Sequence, residues 1–190
     1  MPTTSSSDAF TQALRPFATG NAPREVPAQS PRVVRRLVRN SIAGALGGLA
    51  GVAAMTATME VYYRLLPADQ RRPLEPSLIV QRVTPAAVRT GEHGERRHLL
   101  LTLAAHVGYG TTSGAAYALT MSKTPLPTPL KGLVFGLALF AVSYLGWLPS
   151  AGILRPASDY PAGRNVGLIV AHLIYGSVTA LVAGALAHED

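Results

Sequence analysis

Two short stretches pair a His with a Tyr three residues later and a Gly after that. They are "AAHVGYG", Ala104 to Gly110, and "VAHLIYG", Val170 to Gly176. Both sit inside apolar runs. On a helix, positions i and i+3 are neighbours, so His106 and Tyr109 share a face, as do His172 and Tyr175. Glu60 is a carboxylate inside the first apolar run. Imidazole, phenol and carboxylate can do several kinds of work together. Two His and a carboxylate are a ligand set for a transition metal, so Glu60, His106 and His172 are the candidate metal ligands. Two His on facing helices can bind a haem axially. Glu and His in series can move protons; a relay of that kind should change function or stability between about pH 5 and 8. The plainest alternative is packing, with each His bonded to a hydroxyl or carbonyl on a neighbouring helix and no cofactor bound.

The elements that must position these groups are membrane-length. The chain has 190 residues, 48% hydrophobic and 14% charged, against about 25% charged in a typical soluble domain. Four runs are nearly free of charge, at about 42–66, 98–121, 130–148 and 165–187, and about twenty apolar residues suffice to cross a bilayer. The expected fold is therefore an all-α integral membrane four-helix bundle behind a disordered tail at 1–31; the membrane domain covers 32–190. The loop at 67–97 is long and polar, and its "EPSLIVQRV" segment, Glu75 to Val83, reads either as a short interfacial helix or as an amphipathic turn. A Pro-rich turn follows at 122–129 and a medium loop at 149–164. A cleaved twin-arginine signal fits poorly, because the first run is long and three more follow.

Small residues recur at four-residue spacing, as at Gly44 and Gly48 and at Gly132 and Gly136, and Gly110 and Gly176 close the two His–Tyr motifs. Such spacing lets helix backbones approach closely in lipid, within a bundle or across a homo-oligomer or membrane-partner interface. Each half of the chain runs from a Gly/Ala-rich helix through Leu-Pro, at Leu66-Pro67 and Leu148-Pro149, into a helix with AHxxYG. That suggests two tandem two-helix repeats, parallel about the membrane normal, with His106 opposite His172. In an up-down bundle Glu60, His106 and His172 all fall about 9–12 Å below one boundary. Tyr62, Tyr63, Tyr144 and Trp147 lie at the same end and read as an interfacial aromatic belt.

The net charge of +7 sits at the edges of apolar segments, which fits anionic headgroups better than nucleic acid. Four spans put both termini on one side. Lys and Arg are almost balanced across the two sides, and the four Arg of "RVVRRLVRN", just before the first span, favour a cytoplasmic N-terminus. The absence of cysteine removes disulfides, thiolate metal sites and Cys nucleophiles. No Ser-His-Asp set, phosphate loop or dinucleotide fingerprint is present, so an enzyme is the less favoured class.

"MEVYYRLLP", "AAHVGYGTTSGAAYAL", "SYLGWLP" and "AHLIYG" together resemble the YagU-like family of small bacterial inner-membrane proteins. The resemblance covers about residues 40 to 187. It rests on Glu60, His106–Gly110, His172–Gly176 and Tyr144–Pro149. It implies a four-span fold in the bacterial cytoplasmic membrane and supplies no mechanism. The functional expectation is a membrane protein with an intramembrane polar site of Glu60, His106, Tyr109, His172 and Tyr175. Its rivals are a structural or accessory subunit whose histidines only pack, a haem or metal protein, and a proton or small-solute pathway.

Overall fold

A computed structural model describes residues 31–67, 75–85, 93–121 and 123–187. Of the expected disordered tail at 1–31, residues 1–30 lie outside the described residues, and Pro31 opens the first helix. Those described form an all-helical chain without strands. Helix α1 runs Pro31–Leu65, the short α2 Glu75–Val83, α3 Gly94–Met121, α4 Thr128–Ser150 and α5 Ala162–Ala187. A single 3-10 turn, Ala157–Asp159, precedes α5.

Among the described residues, α1, α4 and α5 are long and apolar enough to cross a membrane. Only 28% of the apolar window of α4 is buried inside the protein, so most of that helix is turned outward. Leu133, Val134, Leu137, Val142 and Leu145 on α4, with Leu46 and Leu49 on α1 and Val166, Val170 and Leu181 on α5, are exposed. A continuous apolar exterior of this kind has lipid, not water, as its natural solvent. Helix α3 does not reach the same apolarity. Its middle, Gly108 to Gly114, holds glycines, hydroxyls and Tyr109 where a uniform span would hold Leu or Val.

Glycine decides how the helices meet. A Cβ added at Gly44 or Gly48 of α1 would strike the backbone of Gly114 or Gly110 on α3. One added at Gly132 or Gly136 of α4 would strike the backbone of Gly176 or His172 on α5. Gly47 and Gly51 put the adjacent face of α1 against Thr179, Ala183 and Tyr175 of α5. Close backbone approach maximises dispersion contact where lipid provides no hydrophobic drive.

The long helices therefore follow one another in space as α3, α1, α5, α4. Contact is extensive between α1 and α5, α1 and α3, and α4 and α5, whereas α3 and α4 touch at few points. The two-helix halves thus share a local style of packing, but their cross-contacts are unequal. Helices α3 and α4 splay apart, and the wedge between them holds the site.

Candidate functional site: a cavity between two splayed helices

The floor of the wedge is built by α1 and α5. Val52, Met55 and Met59 of α1 pack with Leu168, Ala171 and Tyr175 of α5 and Phe140 of α4 in the main core cluster. Above this floor lies a cavity of about 250 Å³. Helix α3 lines it with Ala105, His106, Tyr109 and Gly110, and α5 with His172 and Tyr175. Both His–Tyr motifs therefore face one space.

The α4 wall depends on a break in helical regularity. Pro149 has no N–H to give, so the α-helical ladder cannot continue unchanged through it. The chain answers with π-helical turns over Ala141–Trp147, in which the Leu148 N–H reaches the Ser143 carbonyl. Gly146 absorbs the distortion at φ −103°, ψ −107°. A π-bulge re-aims the side chains of its segment. Here Ser143, Tyr144, Trp147 and Leu148 all line the cavity.

Helix α2 closes the end of the space. Pro76, Ile79 and Val80 line the cavity, and Val80 is almost fully buried. Its other tie is polar: the Ser77 hydroxyl lies 2.9 Å from Nε2 of His98 at the start of α3. The Glu75–Val83 segment is thus a helix packed on α3. At the open side, Tyr109 and Trp147 are each 44% exposed. They stand on α3 and α4 and mark the mouth of the wedge.

Hydrogen bonds give each polar side chain a distinct part. The Tyr175 hydroxyl donates to the carbonyl of Gly110 at 2.6 Å. The Tyr109 and Ser143 hydroxyls meet at 2.8 Å, bridging α3 to α4. His106 shares Nε2 with the Thr56 hydroxyl at 3.2 Å. His172 turns Nδ1 back onto the Leu168 carbonyl of its own helix at 2.8 Å. Its ring is held edgewise against Phe140 and Tyr144, with centroids 5.5 and 5.4 Å away. No hydrogen bond among the described residues joins the two histidines.

Glu60 stands apart from the other four candidate residues. Its carboxylate accepts from Arg64 Nε at 2.8 Å, and the two side chains are 45% and 75% exposed, Glu60 first. The physical reason is helical phase. Met55 and Met59 occupy the face of α1 that meets the cavity, and each further residue turns that face by about 100°. Among the described residues no three His, Asp or Glu side chains converge as a metal would require. The Glu60–His106–His172 metal set is therefore not assembled.

A haem does not suit the cavity either. A cavity of about 150 Å³ holds benzene, so on that scale this one holds roughly ten non-hydrogen atoms. A haem macrocycle is several times larger. His106 also spends Nε2 on Thr56 rather than presenting it opposite His172.

Several residues of the site and its surroundings were not among the sequence candidates. Ser143, which lines the cavity, and Thr56, which does not line it but bonds His106, read as ordinary helix hydroxyls. Tyr144 and Trp147 read as an interfacial belt, yet both line the cavity. Tyr62 packs its ring on Gly167 and donates its hydroxyl to the Gly163 carbonyl, fastening α1 to α5. The available signal was "GWLP", Gly146 to Pro149, since a Gly three residues before a Pro inside an apolar run marks a helix irregularity.

Comparison of the chain with family models, with curated proteins and with solved structures finds no match.

Proposed function

We propose that this chain is a multi-span protein of the bacterial cytoplasmic membrane that binds a small membrane-dissolved molecule in the wedge between α3 and α4. The carrying observation is that both His–Tyr motifs line one cavity. Its mouth lies between helices that barely touch, on a body whose exterior is apolar. A concave, mostly apolar pocket with a few convergent polar groups is the usual form of a small-molecule site.

Helix α3 is the fourth span in this reading. Its 28 residues extend about 42 Å at helical rise, and its glycines lock it against the middle of α1. Exposed Leu99, Leu100, Leu101 and Leu103 give it a lipid face. With four spans both termini share one side, and the Arg32–Arg39 cluster favours the cytoplasm as that side. The matching glycine contacts, α1 on α3 and α4 on α5, fit two tandem copies of one helix pair.

Trp147 is the only tryptophan of the chain and lines the cavity, so its fluorescence tests the proposal. In proteoliposomes, ethylbenzene should change the emission saturably. Ala105→Phe, which fills the cavity from α3, should leave only a linear, partition-driven response. A linear response in the native chain would contradict the reading.

A further inference from the structure

We infer that the ligand is a neutral aromatic alcohol of the phenol type, whose hydroxyl donates to Nε2 of His172. This inference rests on the ligand-cavity reading above and narrows it to a chemical class.

The first step is the tautomer of His172. A carbonyl oxygen only accepts, so the 2.8 Å contact to Leu168 requires the proton on Nδ1. Nε2 of the neutral ring is then a bare acceptor. Among the described residues the cavity lining contains no carboxylate that would pair with a charged imidazolium. His172 is almost wholly buried, at 4% exposure, and lines the cavity. Its Nε2 has no hydrogen-bond partner among the described residues.

The second step is elimination within the lining. The Tyr175 hydroxyl is committed to Gly110. Tyr109 and Ser143 satisfy each other. His106 shares Nε2 with Thr56, a contact that either tautomer can make, so no fixed role follows for its other nitrogen. Among the lining groups whose hydrogen bonds are described, Nε2 of His172 is the acceptor whose role is set and whose partner is open. His172 lines the cavity, where a ligand bearing a donor can satisfy this acceptor and one without cannot, so the former is favoured.

The remaining properties follow from the walls. Among the described residues no Lys, Arg, Asp or Glu lines the cavity, and against these walls a charged ligand would lose its hydration without compensation; a hydroxyl fits them where an ammonium or a carboxylate does not. Tyr109, Tyr144, Trp147 and Tyr175 offer aromatic faces and edges, which suit a flat ring. The volume of about 250 Å³ admits one ring with a short substituent, roughly ten non-hydrogen atoms.

The test uses the full chain in proteoliposomes and three probes of nearly equal size: para-ethylphenol, its methyl ether para-ethylanisole, and ethylbenzene. Trp147 emission is titrated against the concentration of each probe in the bilayer, which removes differences in partition. The phenol should bind about tenfold more tightly than the ether, the worth of one neutral hydrogen bond. His172→Phe should abolish that preference, and Thr56→Val should preserve it. Equal saturable binding of phenol and ether overturns this inference and leaves the ligand cavity standing. No saturable response to any of the three overturns both. Loss of the preference in Thr56→Val would assign the acceptor to His106 and also overturn it. Should His172→Phe fail to fold, the comparison of phenol with ether in the native chain decides alone.

Discussion

The hydroxyl of Tyr175 donates to the carbonyl of Gly110, so the tyrosine of the second His–Tyr–Gly motif is bonded to the glycine of the first. The recurrence of the motif has a structural use in this contact. Gly110 lets α3 approach close enough that Val52 and Tyr175 crowd the space a side chain would occupy. Tyr175 is 1% exposed and ties α5 to α3 beneath the cavity.

Tyr175→Phe should lower stability by about 1 kcal/mol, read as the shift in the unfolding midpoint in detergent. The Gly110 carbonyl keeps its place in the helical ladder of α3, so the cost is that of one hydrogen bond. Tyr109→Phe should cost less, because Tyr109 is half exposed at the mouth and the Ser143 hydroxyl it leaves can turn to a carbonyl of its own helix one turn back. A larger loss for Tyr109→Phe than for Tyr175→Phe would reverse the roles given to the two tyrosines.

Glycines on the same helix should respond in opposite directions. A Cβ at Gly114 would overlap Gly44 and the backbone of Gly48, whereas one at Gly108 meets nothing within 4 Å. Gly114→Ala should destabilise by about 1–3 kcal/mol through overpacking. Gly108→Ala should be neutral or stabilising by up to about 1 kcal/mol through helix propensity. Thermal unfolding of the two variants side by side checks the contrast; equal effects would contradict the packing of α3 on α1.

Pro149→Ala restores a backbone N–H at the end of the π-helical segment. The segment should relax toward regular α-helix and rotate Ser143 away from Tyr109. Saturable binding of ethylbenzene should weaken about tenfold or more, while the helical content by circular dichroism stays unchanged. Retention of full affinity would show that the cavity does not depend on the bulge.

Glu60→Gln should leave both stability and binding near the native values. Its partner Arg64 is on the same helix, one turn away, and both side chains are largely exposed; such pairs contribute about 0.3–0.5 kcal/mol. A loss of probe binding in Glu60→Gln would return the carboxylate to the site.

The legible part of this protein was the part governed by periodicity and length. The apolar runs matched helices α1, α4 and α5, and the four-residue glycine spacing marked real contacts, Gly44 and Gly48 on α3 and Gly132 and Gly136 on α5. Counting residues from the helix ends placed His106 and His172 at one end of the molecule, where both line the cavity. Angular phase was less legible than depth. By residue count Glu60 shares the depth of the histidines, yet its carboxylate pairs with Arg64 on its own helix, and depth alone does not report a face. The α4 wall was hidden for a different reason. Its geometry follows from a missing N–H at Pro149 and a distorted Gly146, so a regular helical wheel misplaces Ser143, Tyr144 and Trp147. The seat of α2 over the cavity is a tertiary contact that a nine-residue amphipathic pattern does not specify.

The most direct measurement is the quenching of Trp147 in the native chain, reconstituted once in lipids brominated on their acyl chains and once in ordinary lipids with aqueous iodide. A cavity that opens to the bilayer between α3 and α4 puts Trp147, 44% exposed at the mouth, in contact with lipid. Strong quenching by brominated chains and little by iodide is the expected result. Strong quenching by iodide with none from the brominated lipid would place the mouth in water and contradict the account.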